Sequence, residues 1–257
     1  MGFRPGIRKM KIRRFKISGE NIRGSEAVLD DPAELRHLTR VLRLKPGDEV
    51  LLFDGKGKEY RATIKQLTGR QASFALIQDS PPETPEPSVR IILGIGLLKV
   101  TKLEWLIQKA TELGVADILP FHSLRVVPRP EETAVRNRLG RWEKIAAEAA
   151  KQCRRARIPR IHPPCSFAEA LAAFPNTARI FLWEKERDRT LNDVFNSPSP
   201  AVYALVGPEG GFSVEESQRA EVAGFVPVRI GPRILRAETA GLVIVALLQF
   251  LCGDMGG

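Results

Sequence analysis

Four prolines within seven residues, Pro81, Pro82, Pro85 and Pro87, constrain this 257-residue chain more than any other feature. Each fixes φ and removes a backbone donor, so the segment cannot continue a helix or an inner strand. It predicts a stiff, extended linker over residues 81–88, between a unit at 1–80 and another at 89–257. Before the linker the signals are mostly β. Short strand-like runs cover Lys11 to Ile17, Glu49 to Asp54, Glu59 to Leu67 and Ala72 to Ile77, with turns at Asp54-Gly55-Lys56-Gly57 and Gly69. One helix interrupts them, with Asp31 as cap, Pro32 in its first turn and Leu35, Leu38, Val41 and Leu42 as its apolar stripe. Many short strands in a short stretch predict a small β-barrel.

After the linker, strands alternate with helices. Val89 to Ile95 is a continuous apolar run, as expected of a strand covered on both faces. Leu103, Leu106, Ile107, Ala110 and Leu113 recur at helical spacing, with Gly114 as the stop. Further strands are predicted at Asp117 to Phe121, Ala178 to Trp183, Ala201 to Val206 and Val226 to Ile230. Helices are predicted from about Thr133 and at Phe167 to Phe174, Val214 to Ala223 and Thr239 to Leu251. The pattern is that of an α/β domain with a mostly parallel sheet.

Two strand-to-helix junctions carry unusual chemistry. Val206 leads into Gly207-Pro208-Glu209-Gly210-Gly211-Phe212-Ser213, and Ser213 with Glu216 forms a capping-box pattern. A glycine loop there is where open α/β sheets bind ligands, although neither the dinucleotide fingerprint nor the P-loop pattern matches. A tight turn explains two glycines but not a Glu between Pro208 and Gly210. The second junction, Ile230-Gly231-Pro232-Arg233-Ile234-Leu235-Arg236-Ala237-Glu238-Thr239, crowds Arg233, Arg236 and Glu238 together. An Arg236–Glu238 surface pair would mean little energetically. Facing junctions would instead make a polar or anionic small-molecule site.

Charge points to a polyanionic partner. Lys and Arg number 40 against 30 acids, a formal charge of +10. Arg4, Arg8, Lys9, Lys11, Arg13, Arg14 and Lys16 precede the first acid, and Lys151, Arg154, Arg155, Arg157 and Arg160 form a second block. Two concentrated blocks favour nucleic acid. Cys153, Cys165 and Cys252 are too dispersed for a disulfide framework or a zinc site, and His37, His122 and His162 are equally scattered. No metal is expected. With no apolar run of membrane length and no secretory signal, the expectation is a cytoplasmic protein without membrane contact.

The two junctions, with His37-Leu-Thr-Arg-Val-Leu-Arg43, Leu52-Phe-Asp-Gly55 and Lys102-Leu-Glu-Trp-Leu-Ile-Gln-Lys-Ala-Thr-Glu-Leu-Gly-Val115, closely resemble the bacterial 16S ribosomal RNA uridine-N3 methyltransferases, of the SPOUT or trefoil-knot class. The resemblance covers nearly the whole chain in order. It implies a PUA-like β-barrel for RNA binding, joined to a knotted α/β domain that binds S-adenosylmethionine and forms a homodimer. It further implies methylation of N3 of uridine 1498 in 16S rRNA, within the assembled small ribosomal subunit. The cofactor residues it implies are Gly207, Glu209, Gly210 and Gly211, then Ile230, Gly231, Leu235 and Arg236. Leu182, with Trp183, would wall the adenine. One departure is Lys151-Gln152-Cys153-Arg154-Arg155, where the family has Glu-Gln, a small residue and Gly-Arg; Gln152 and Arg155 still fit.

In that reaction N3 of an unpaired or extruded uridine loses its proton and attacks the methyl group. Arg236 is the candidate for stabilising the negative charge on the uracil. Glu238 would take the proton if burial raises its pKa; otherwise it orients Arg236 or caps the last helix. RNA phosphates would be met by Arg13, Arg14 and Lys16, with His37, Arg40 and Arg155 beside them. Leu242 to Phe250, apolar around more of the helix than one core face needs, is the candidate dimer surface. Two alternatives stand. One is a non-catalytic RNA-binding or ribosome-assembly factor. The other is an enzyme of a different chemistry with a PUA-like appendage, such as a pseudouridine synthase, for which Asp188, Asp193 and Asp254 lack a suitable motif.

Overall fold

The computed structural model describes residues 12–123, 132–195 and 199–256; Arg4, Arg8, Lys9 and Lys11 of the basic N-terminal block lie outside them. Two units are present, Met1–Pro85 with Arg154–Arg157, and Glu86–Cys153 with Ile158–Gly257.

The strands of the first unit are β1 (Arg13–Lys16), β2 (Ile22–Arg23), β3 (Glu26–Leu29), β4 (Glu49–Phe53), β5 (Glu59–Leu67) and β6 (Ala72–Ser80). They form one six-stranded sheet in the order β1-β4-β5-β6-β3-β2, in which β1 runs parallel to β4 and the other pairs are antiparallel. The short β2–β3 hairpin, turning at Gly24 with φ +58°, was not expected from the sequence. Phe15, Ile17, Leu29, Leu38, Leu52 and Phe74 fill the core.

Helix α1 (Pro32–Arg36) starts as its residues dictate: the Asp31 carboxylate accepts the N–H groups of Ala33 and Glu34, both at 2.9 Å. It continues as a π-turn over His37–Val41, closed by the Leu42 N–H donating to the His37 carbonyl at 2.9 Å. The wider turn shifts the residues that follow around the axis. Leu35 and Leu38 stay in the core as expected, but Val41 is 69% exposed, and Leu42 packs in its place. The expected stripe is therefore corrected at Val41.

The second unit contains β7 (Arg90–Gly96), α2 (Val100–Glu112), β8 (Asp117–His122), α3 (Glu132–Cys153), β9 (Arg160–Ile161), β10 (Cys165–Ser166), α4 (Phe167–Ala172), β11 (Ala178–Leu182), α5 (Leu191–Val194), β12 (Ala201–Val206), α6 (Val214–Val222), β13 (Val226–Val228) and α7 (Ala237–Cys252). Its sheet is parallel in the order β10-β8-β7-β12-β11-β13, with β9 pairing on β8. β7 is central and alternates its side chains between two apolar layers. Ile91, Leu93 and Ile95 pack with Leu103, Leu106, Trp142, Ile244 and Leu248, whereas Ile92 joins Phe121, Phe167, Tyr203, Phe212 and Phe225. Covering on both faces is why this strand reads as an unbroken apolar run.

Arg154–Arg157 belong to the first unit, although the sequence places 89–257 in one run. α3 ends at Cys153, and Arg154 then takes φ +67°, a left-handed conformation that suits glycine. From there the Gly57 N–H donates to the Ala156 carbonyl at 3.2 Å and Arg14 Nη2 to the Arg155 carbonyl at 3.1 Å. Arg154→Gly is therefore expected to stabilise the protein by about 0.5–1 kcal/mol, relieving the Cβ clash against some loss of chain stiffness in the unfolded state. Its half-exposed contact with Glu83, 3.6 Å away, offsets little. Thermal unfolding should show a rise of about 1–3 °C; a fall would contradict the strain argument.

Candidate active site

Both junctions open onto one cavity of about 730 Å³ at the carboxyl ends of β11, β12 and β13. Neighbouring parallel strands end together there, since Phe181 pairs with Leu205 and Leu182 with Val228. The volume suits a ligand of cofactor size.

The first loop is shaped by close approaches. Gly211 has φ +64°, and its N–H donates to the Pro208 carbonyl at 2.9 Å. A Cβ on Gly211 would stand 3.0 Å from the Glu184 carboxylate, and one on Gly207 would stand 3.1 Å from the Gly211 carbonyl carbon. By contrast, apart from its chain neighbours, no protein atom lies within 4 Å of where a Gly210 Cβ would be. The loop ends where expected: Ser213 Oγ accepts the Glu216 N–H at 3.1 Å, and Glu216 Oε2 accepts the Ser213 N–H at 2.8 Å. Glu216 is fully buried and also accepts from Ser123 Oγ at 2.7 Å, which anchors the start of α6.

The nine residues expected around a cofactor, Leu182, Gly207, Glu209, Gly210, Gly211, Ile230, Gly231, Leu235 and Arg236, all line this cavity. Sequence reasoning missed Lys102, Glu184, Glu186, Arg187, Val228 and Arg229, which line it too. Lys102 was visible only as the first residue of a matching segment. Its Nζ lies 3.4 Å from Glu209 Oε1 and 3.2 Å from Glu238 Oε1. The Glu238 ion pair is thus with Lys102, and Arg236 acts on Glu238 as a nearby charge. Burial pushes the Glu238 carboxyl up, but its own backbone N–H, Lys102 and Arg236 outweigh that and hold it below the ordinary glutamate value. The condition set for a proton-accepting Glu238, a raised pKa, is not met in this arrangement.

Residues 84–249 match the family model described as an RNA methyltransferase domain, and residues 29–77 match an RNA methyltransferase PUA domain. A relative from Synechocystis, named ribosomal RNA small subunit methyltransferase E, is 34% identical over 85% of this chain and 71% of its own length. One of the same name from Buchnera aphidicola is 30% identical over 96% of this chain and 97% of its own. The chain belongs to the ribosomal RNA small subunit methyltransferase E family. A crystal structure of the family member from Neisseria gonorrhoeae, bound to S-adenosyl methionine, superposes with a TM-score of 0.85 at 33% identity, covering 95% of this chain and 99% of that one. The fold is accordingly a PUA-like domain followed by a SPOUT-type α/β domain, and the chain is an RNA methyltransferase.

Within this methyltransferase, the expected RNA contacts divide. Arg13 and Lys16 are exposed on the edge strand β1, and Arg40 is exposed on the π-turn. His37 is half-buried, its ring edge-on to Phe15 with centroids 6.0 Å apart. Arg14 and Arg155 are corrected: both are buried, and neither guanidinium is placed to meet a phosphate. Arg14 pairs with the buried Glu59 and lies over the Phe53 ring, 5.1 Å from its centroid. Among the described residues, no group of three or more His, Cys, Asp or Glu side chains could hold a metal ion, and no helix is long and apolar enough to cross a membrane.

Proposed function

We propose that this chain methylates N3 of a uridine in 16S ribosomal RNA of the small subunit, uridine 1498 by family resemblance, with S-adenosylmethionine as cofactor. The observation that carries the reading is the single cavity into which both family motifs open. Its chemistry fits the cofactor. Leu182, Ile230 and Leu235 supply apolar wall, the open approach at Gly210 admits ligand atoms to the backbone, and Glu209 brings a carboxylate. When bound, S-adenosylmethionine supplies a methyl group on a positively charged sulfur.

The protein's part is orientation and charge. Arg236, at the cavity and at the N-cap of α7, stabilises the negative charge left on the uracil when N3 gives up its proton. Glu238, ionised and held by Lys102, acts as a fixed charge; the N3 proton leaves to solvent. Arg13, Lys16 and Arg40 hold RNA phosphates, with His37 beside them, and the shape of folded RNA selects the uridine. The half-buried Leu242 and Leu247 with the exposed Phe250 on α7 form the contact of a homodimer. The trefoil knot, a cytoplasmic location and action on the assembled subunit belong to the same reading.

The test is methyl transfer from labelled cofactor to small subunits from cells lacking this gene, followed by nucleoside mass spectrometry. The expected product is 3-methyluridine, and absence of a labelled nucleoside on subunits and on naked RNA would overturn the proposal. Glu238→Gln is expected to lower kcat by less than about tenfold, whereas loss of a true general base costs roughly 100-fold or more. A larger loss would restore Glu238 as the base.

A further inference from the structure

Lys102 sits where helix stability does not want it. α2 has no acid in its first turn, and its N-cap, Lys99, makes no side-chain cap bond. A cation in that turn is repelled by the positive end of the helix dipole. A break in a local rule is most often found where function requires it. Here the ammonium reaches two carboxylates on two other elements: Glu209 Oε1 at 3.4 Å, and Glu238 Oε1 and Oε2 at 3.2 and 3.3 Å. Glu209 belongs to the glycine loop after β12 and Glu238 to the first turn of α7. Tight charge-assisted hydrogen bonds measure about 2.7–2.9 Å. The ammonium is therefore shared between the carboxylates rather than locked on either.

We propose that Lys102 is a positioning residue that couples the two motif loops across the cavity, so that both engage the cofactor as one unit. The inference rests on the cofactor reading above. Lys102 lines the cavity and its side chain is largely covered, while Glu238 is nearly buried. Without the ammonium, two carboxylates would be left close together, one of them in a poorly solvated position. Either the loops would then part or Glu238 would take up a proton. The charged groups acting on Glu238 are Lys102 from α2, Arg236 from its own loop, and Glu209 through the shared ammonium.

The experiment has two readouts on the full chain. Calorimetry measures S-adenosylmethionine binding to wild type, Lys102→Met, Lys102→Arg, Glu209→Gln and the Lys102→Met/Glu209→Gln double variant. Carboxyl carbon NMR follows the titration of Glu238 in the cofactor-free protein. Lys102→Met is expected to weaken binding about tenfold or more, in line with loss of a charged hydrogen bond. Lys102→Arg should restore most of it and guards against misfolding as the cause. The double variant should lose less than the product of the two single losses, since the coupling through the ammonium is counted in both, while any direct contact of Glu209 with the cofactor adds separately. The Glu238 titration should move up in Lys102→Met and stay near wild type in Lys102→Arg. Wild-type affinity in Lys102→Met, losses that simply multiply, or an unmoved Glu238 titration would each overturn the coupling. A wild-type protein that binds no cofactor would overturn the cofactor reading instead, and the coupling would then be judged by the Glu238 titration alone.

Discussion

Gly96→Ala is expected to weaken S-adenosylmethionine binding about 100-fold and to lower kcat/KM by at least as much, while the sheet still forms. Gly96 ends β7 opposite Phe121 of β8, one residue beyond the pairing of Ile95 with Val206. It makes none of the expected cofactor contacts. A Cβ at this position would stand 2.4 Å from the Pro208 nitrogen, 2.5 Å from Pro208 Cδ and 2.9 Å from the Gly207 carbonyl carbon. These atoms are backbone or a rigid ring, so no side-chain rotation relieves the clash. Ordinary carbon contacts require about 3.5–4.0 Å, and the loop carrying Gly207, Glu209, Gly210 and Gly211 must retreat by about 1 Å. A displacement of that size at a positioned site costs on the order of 100-fold. Calorimetry and single-turnover methyl transfer check the prediction. Wild-type affinity would mean that the loop relaxes freely and that its close approach to β7 does not set the cavity.

The Gly96 case also marks the limit of what the sequence could reveal. Patterns within one element were legible, because periodicity and capping record local backbone geometry. Asp31 and Pro32 mark the start of α1, Ser213 and Glu216 that of α6, and the apolar run at Val89 the central strand. Convergence of the two junctions was legible only as a conjecture, because strand order is a nonlocal fact. The structure places β11 directly between β12 and β13, all three parallel, which brings both junctions to the same end of the sheet. Residues whose role depends on a distant partner stayed invisible. Lys102 reads as an ordinary helix residue until Glu209 and Glu238, more than a hundred positions away, are seen beside it. Gly96 reads as a strand end until Pro208 is found against it. Val41 misled for the opposite reason: the α-helical period was applied across a π-turn that no residue pattern announces.

Arg14 shows the same limit in the first unit, and Glu59→Ala is the substitution expected to destabilise that unit most. Among basic neighbours, Arg14 reads as one more phosphate contact. The structure buries its side chain to 7% exposure and sets it against a Glu59 side chain that is wholly buried. Glu59 Oε2 also accepts the Glu83 N–H at 2.9 Å, so the carboxylate ties β5 to the chain beyond β6. Removing it leaves the buried guanidinium with only the half-exposed Glu83 carboxylate, 3.9 Å away, and breaking a buried pair costs roughly 3–5 kcal/mol. Melting should fall by roughly 10 °C, with amide exchange accelerated first in β4 and β5. Replacing both partners, as in Arg14→Met with Glu59→Leu, should recover most of the loss, because no charge is then left unpaired in the core. The contrast between single and double substitution separates an ion-pair effect from a cavity effect. If the double variant were as unstable as Glu59→Ala, packing and the Glu83 contact would account for the loss. If Glu59→Ala melted like wild type, Arg14 would have found water, and its surface role toward RNA would be restored.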